Sequence, residues 1–134
     1  MKGTYILVVF IQKNIELNIG ALGSIKFKKG FYFYIGSAMA NSGSTTLINR
    51  VRRHISPSES KKIHWHIDYL LKSKYTFVYC LYLIPSFQNL ECLIANELLN
   101  ISDGYINKFG SSDCLCKSHL LYFKEFKPLK RLLQ

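Results

Sequence analysis

Acidic residues and prolines are scarce in this chain: 8 Asp plus Glu stand against 18 Lys plus Arg, and only three prolines fall in 134 residues. The acid deficit leaves a formal net charge of +10. A basic excess of that size favours a polyanionic partner, and nucleic acid is the commonest one because each neutralised phosphate releases counterions. Long hydrophobic runs are missing as well. The longest, Tyr5 to Ile11 and Phe77 to Ile84, fall far short of the ~20 residues a membrane-spanning helix needs. The first of them has no basic leader and no small-residue cleavage site, so no secretory signal is expected. There are four cysteines, Cys80, Cys92, Cys114 and Cys116, in or beside apolar segments. The expectation is reduced thiols in a cytoplasmic protein. No internal repeat and no interior linker breaks the chain, so residues 1–134 read as a single domain, long enough to bury a core without staples.

Aromatic and aliphatic residues make up for what is absent, and hydrophobic side chains reach 49%. The organising stretch is Gly30 to Ile55. Phe31-Tyr32-Phe33-Tyr34-Ile35 is an apolar run of strand formers, ended by Gly36 where a side chain would obstruct a neighbouring backbone or ligand. A small polar loop follows, with Ser44 as a candidate N-cap. Steps of 100° along the next segment put Leu47, Ile48, Val51 and Ile55 in one arc that should face the core. Arg50 and His54, one helical turn apart, border that arc and point toward the strand end that carries Tyr34.

The rest of the chain alternates in the same way. Ile6 to Ile11 reads as a buried strand, and Gln12 to Gly30 as one or two accessory strands at a sheet edge blunted by lysines. Pro57 stops the basic helix. A second helix carries Ile63, Ile67, Leu70 and Leu71; a strand spans Lys74 to Ile84. The third helix runs from about Phe87 to Asn100, and a last strand from His119 to Phe126. Together these give an α/β (α+β) domain: a small antiparallel sheet of about three core strands with accessory edge strands, flanked by helices.

Several residues could carry chemistry. Glu91 borders the apolar arc of its helix, where a carboxylate is costly unless it is paired or binds a metal. Tyr5, Tyr34, Arg50 and Glu91 would suit phosphodiester hydrolysis: a metal to lower the pKa of a water, an arginine for phosphate charge, a tyrosine to accept a proton. Arg52, Arg53, Lys61 and Lys62 are candidates for nucleic-acid contact. His64 and Asp68 share a helix face, and an aspartate can fix a histidine tautomer, so His64, His66 and Asp68 are candidates for the site or its surroundings. Trp65 reads as core. Cys114, Cys116 and His119, completed by Cys80 or Cys92, suggest zinc. However, Cys-x-Cys is tighter than the usual spacer and no second Cys pair exists, so zinc is not expected.

Gly3-Thr4-Tyr5, Tyr34-Ile35-Gly36-Ser37-Ala38, Arg50 four residues before His54, and the Glu91-led helix resemble the GIY-YIG nuclease superfamily. The resemblance implies a small antiparallel sheet packed by helices and metal-dependent cleavage of nucleic acid, DNA rather than RNA, in repair or recombination. It implies Mg²⁺ or Mn²⁺ held by Glu91, Arg50 as the catalytic arginine with Arg53 as the alternative, His54 as a catalytic-site residue four positions on, and Tyr5 or Tyr34 as the group that orients or deprotonates water. A partner repair protein would fit that setting. Ser37 stands where the repair nucleases of the superfamily have lysine, and Gln12 to Gly30 is an insertion that would cover the site. Over nearly the whole chain, including Gly20-Ala21-Leu22-Gly23, His64-Trp65-His66-Ile67-Asp68-Tyr69 and Phe109-Gly110-Ser111-Ser112-Asp113-Cys114-Leu115-Cys116, the sequence is similar to an uncharacterised prokaryotic GIY-YIG-related family. Some of its members are fused to an endonuclease III domain. A non-catalytic nucleic-acid-binding domain and a zinc-stabilised interaction module are the alternative readings.

Overall fold

A computed structural model describes residues 2–39, 46–55, 63, 65–111, 114–126 and 128. The centre is a five-stranded antiparallel sheet in the order β5-β1-β4-β7-β6, formed by β1 (Gly3–Ile11), β4 (Gly30–Ala38), β5 (Thr76–Pro85), β6 (Gly104–Tyr105) and β7 (Leu120–Phe123). β1 lies between β4 and β5, and both of its faces are covered. That is why its sequence is a continuous apolar run without alternation. On one face Tyr5, Leu7, Val9 and Ile11 meet Tyr32 and Tyr34 of β4 beneath α1 (Leu47–Ile55) and α2 (His66–Leu71). On the other, Ile6, Val8, Phe33 and Ile35 pack under Ala95 and Leu98 of α3 (Glu91–Ile101).

The insertion departs from expectation. β2 (Ile15–Asn18) and β3 (Ser24–Phe27) form their own two-stranded ribbon, separate from the main sheet. Its apolar side is the reason: Phe27, only 1% exposed, sits edge-on to Tyr32 and Phe109, while Ile19 is buried in the same cluster. The ribbon caps a sheet face instead of extending an edge.

α1 is also rotated relative to the simple hydrophobic arc. Leu47, Val51 and His54 are its buried residues, at a spacing of four and three, whereas Ile48 is 43% and Ile55 55% exposed. The imidazole takes the inward place because a polar partner waits there, which an apolar count ignores. Trp65 precedes α2 and is half-buried, packed against the core cluster at its rim. The expected N-cap Ser44 lies outside the described residues.

Gly36 shows how the backbone places the site. In the β1–β4 register Tyr5 pairs with Gly36, and a Cβ there would stand 2.3 Å from the Tyr5 ring carbon Cζ and from its hydroxyl oxygen. The ring lies across the strand because glycine leaves the space. Gly36→Ala must displace a buried tyrosine, with an expected loss of about 1–3 kcal/mol. The check is a denaturant midpoint that falls at unchanged slope, whereas Gly104→Ala, whose Cβ would meet nothing closer than 3.9 Å, stays within about 0.5 kcal/mol of wild type.

Candidate functional site

Four elements meet at the Ala38 end of β4. β1 brings Tyr5, β4 brings Tyr34 and Ser37, α1 brings Arg50 and His54, and the first residue of α3 is Glu91. The Tyr5 and Tyr34 ring centroids are 6.3 Å apart, and His54 lies 5.3 Å from the first and 6.1 Å from the second. Tyr5 Oη and His54 Nε2 form a buried hydrogen bond of 2.7 Å. Arg50 Nη1 donates to the main-chain oxygen of Ser37, and its guanidinium lies 4.5 Å from the centre of the Trp65 ring. Tyr5, Tyr34 and His54 form a buried floor, with Ser37, Arg50 and Glu91 half-exposed above it.

The electrostatics follow from that layering. Burial pushes both tyrosines far above the usual phenol range; Arg50 opposes the shift at each, while Glu91 adds to it. Both phenols are therefore neutral at rest. For Glu91, burial works against the charged form. Hydrogen bonds from His119 and the Ser37 side chain, with the charge of Arg50, outweigh it and hold the carboxyl below its ordinary value.

The other candidates take different places. Arg53 pairs with Asp68 at 2.7 Å, and Asp68, fully buried, also accepts the Trp65 main-chain N–H at 2.8 Å. That pair ties α1 to the start of α2. Arg52 is exposed on α1. His66 Nδ1 accepts the Gly110 N–H at 2.9 Å, and burial lowers its pKa. It lines a cavity of about 560 Å³ with Ala21, Lys108, Cys114 and Lys117. Lys61, Lys62 and His64 lie outside the described residues.

A second cluster adjoins the first. Cys92 of α3 and Cys114, Cys116 and His119 of the loop before β7 present ligand atoms that all lie within 4.8 Å of one another, an arrangement that could hold a metal ion. Cys92 Sγ is 3.9 Å and Cys114 Sγ 3.6 Å from His119 Nε2, while His119 Nδ1 faces Glu91 Oε1 at 3.0 Å. At Cys116 burial and the two neighbouring thiols push the pKa up. At Cys92 the hydrogen bond from Cys116 eases ionisation, but burial and the nearness of Cys114 and Glu91 outweigh it.

This cluster corrects the expectation drawn from spacing, which counted cysteine pairs along the chain. The third thiol comes from α3, 22 positions before Cys114, and tertiary packing supplies it. Cys80, the other cysteine weighed for that role, lies on β5 outside the cluster. The one local signal is Cys-x-Cys-x-x-His closing just before a core strand.

The architecture and the site thus define a small α+β domain with a tyrosine, histidine, arginine and glutamate cluster abutting a thiol-rich metal-ligand set. A family model described as "Domain of unknown function DUF123" matches residues 4–134, and the chain belongs to that family. No curated protein and no solved structure matches it. Among the described residues, no helix is long and apolar enough to cross a membrane.

Proposed function

We propose that this domain hydrolyses phosphodiester bonds in nucleic acid, with DNA the expected substrate, and that its Cys3His cluster binds zinc. The observation that carries the first part is the convergence of Tyr5, Tyr34, Arg50, His54 and Glu91 from four elements onto one strand end. The +10 charge supports a polyanionic substrate, and the resemblance to GIY-YIG nucleases assigns the same residues.

Their chemistry divides by position. Arg50 is oriented by Ser37 and Trp65 and is half-exposed at the site. The guanidinium therefore keeps donor capacity for charge that grows on phosphate oxygens. Tyr5 is too basic to act as a phenolate, yet its hydroxyl is bonded to His54. It can take a proton from water while passing its own to Nε2. Glu91, a single carboxylate held anionic, suits Mg²⁺ or Mn²⁺ that keeps most of its waters. When bound, such a cation lowers the pKa of its water.

The thiol cluster suits a softer ion. Zinc bonds of about 2.3 Å to sulfur and about 2.0–2.1 Å to nitrogen place tetrahedral S and N ligands about 3.6 Å apart. The Cys114 and Cys92 sulfurs stand 3.6 and 3.9 Å from Nε2.

A second reading, binding without turnover, is favoured by the 1% exposure of Tyr5. The deciding experiment is cleavage of labelled DNA and RNA substrates with Mg²⁺ or Mn²⁺, comparing wild type with Arg50→Ala. Loss of about 10²–10³ in rate is expected if Arg50 stabilises the transition state. Salt-sensitive binding by wild type without any cleavage would replace hydrolysis with the binding reading.

A further inference from the structure

The two clusters share one side chain. His119 is 1% exposed, and its two ring nitrogens face different centres: Nε2 toward the sulfurs of Cys92 and Cys114, Nδ1 toward Glu91 Oε1 at 3.0 Å. Its backbone is fixed as well, since the His119 N–H donates to Phe109 O at 2.8 Å and its carbonyl accepts the Ile35 N–H at 2.9 Å. The ring therefore sits on the strand neighbouring β4, one residue before the Leu120–Phe123 ladder.

A neutral imidazole carries one proton on either nitrogen, and the partner of one nitrogen decides the state of the other. A metal on Nε2 takes that lone pair and leaves the proton on Nδ1. There it donates to a carboxylate, an arrangement that orients the ring and raises its basicity as a ligand. With Nε2 protonated instead, a bare Nδ1 lone pair would face the Glu91 oxygen and repel it. The Glu91–His119 contact and metal occupancy thus require the same tautomer.

We propose that His119 couples the thiol-rich metal centre to the Arg50–Glu91 site: zinc on Nε2 fixes Nδ1–H, which holds Glu91 in place, and Glu91 in return tightens the zinc. The inference rests on the zinc reading above and does not depend on turnover. It makes His119 a positioning residue for Glu91. By linkage, any factor by which Glu91 strengthens zinc binding is the factor by which zinc favours the bonded position of Glu91.

The test is zinc affinity, measured by competition with a chromophoric chelator, for wild type, Glu91→Ala, Glu91→Gln and the exposed control Glu97→Ala. One zinc per chain is expected in all four. Glu91→Ala should bind it about 10–100-fold more weakly, Glu91→Gln should fall between because its amide oxygen still accepts Nδ1–H, and Glu97→Ala should match wild type. Equal affinities for wild type and Glu91→Ala would overturn the coupling while leaving the zinc site standing. A wild type that binds no zinc would remove the zinc reading and the coupling together. A long-range nitrogen–proton spectrum of the imidazoles gives a check independent of variants. The zinc-loaded protein should show His119 with its proton on Nδ1, and a proton on Nε2 in that form would overturn the proposal.

Discussion

If the Cys3His cluster holds zinc as proposed, stripping the metal with a high-affinity chelator should lower the melting temperature by more than about 10 °C. A ligand present at a thousandfold its dissociation constant contributes about 4 kcal/mol to stability, and structural zinc bound by thiolates commonly has a larger margin. For a domain of this size each kcal/mol moves the midpoint by a few degrees. The loss should concentrate in the stretch from Ile106 to His119. Its described residues lie outside helices and strands and are tied by single hydrogen bonds, among them Ile106 N–H to Leu120 O at 3.1 Å, Lys108 N–H to Lys117 O at 2.7 Å, His119 N–H to Phe109 O at 2.8 Å, and Gly110 N–H to His66 Nδ1 at 2.9 Å. Without the metal, three thiols and an imidazole would be crowded together with no charge to balance their ionisation.

Cys114→Ser and Cys116→Ser should reproduce the chelator effect and abolish stoichiometric zinc. Cys80→Ser should leave zinc content unchanged, since Cys80 is half-buried on β5 outside the cluster. Calorimetry with and without chelator, read beside metal content, checks all three. An unchanged midpoint after complete zinc removal would show that the centre does not hold the fold. Phe109 would then be the better explanation of order in this loop, because it is fully buried between Phe27 and Tyr34.

How much of this was legible in the sequence depends on whether the information is local. β1 and β4 are plain because strands covered on both faces are apolar throughout, but their Tyr5–Gly36 register is not, since strands without alternation offer no pattern to fix it. The face of α1 is less plain. A hydrophobic count places Ile48 and Ile55 inward, while the structure turns His54 inward to meet Tyr5, and only the position of another strand could reveal that. The β2–β3 ribbon has an edge-strand pattern, with lysines alternating with apolar residues. Its destination is decided by Phe27 and Ile19 finding a place beneath Phe109. Arg53 reads as a free surface cation until Asp68, fifteen residues later, is seen beside it. The metal-ligand set is the extreme case: it joins the start of α3 to a loop that closes on β7, and no spacing rule connects Cys92 with Cys116.

Replacing Tyr5 by Phe should reduce cleavage by about 10²–10⁴-fold, the range over which a positioned acid–base group acts. Tyr5 Oη and His54 Nε2 stand 2.7 Å apart in a buried hydrogen bond. A phenol whose pKa is raised by burial cannot remove a proton from water by waiting as a phenolate. It can act only by surrendering its own proton as it gains another, and His54 is the acceptor in reach. Tyr5 and His54 would then act as one unit, so Tyr5→Phe and the double variant Tyr5→Phe, His54→Ala should be about equally impaired instead of multiplying their losses. Tyr34 separates this from a general need for two tyrosines. Its ring packs against Phe109 and His54, and if it serves as floor, Tyr34→Phe should cost less than about tenfold. Each variant needs a melting curve beside its rate, because removing the Tyr5 hydroxyl takes a buried hydrogen bond from His54 Nε2 at a cost of about 1–3 kcal/mol. A Tyr5→Phe protein that is folded, binds zinc and cuts at the wild-type rate would exclude the relay, and a large loss in Tyr34→Phe alone would move the proton-accepting role from β1 to β4.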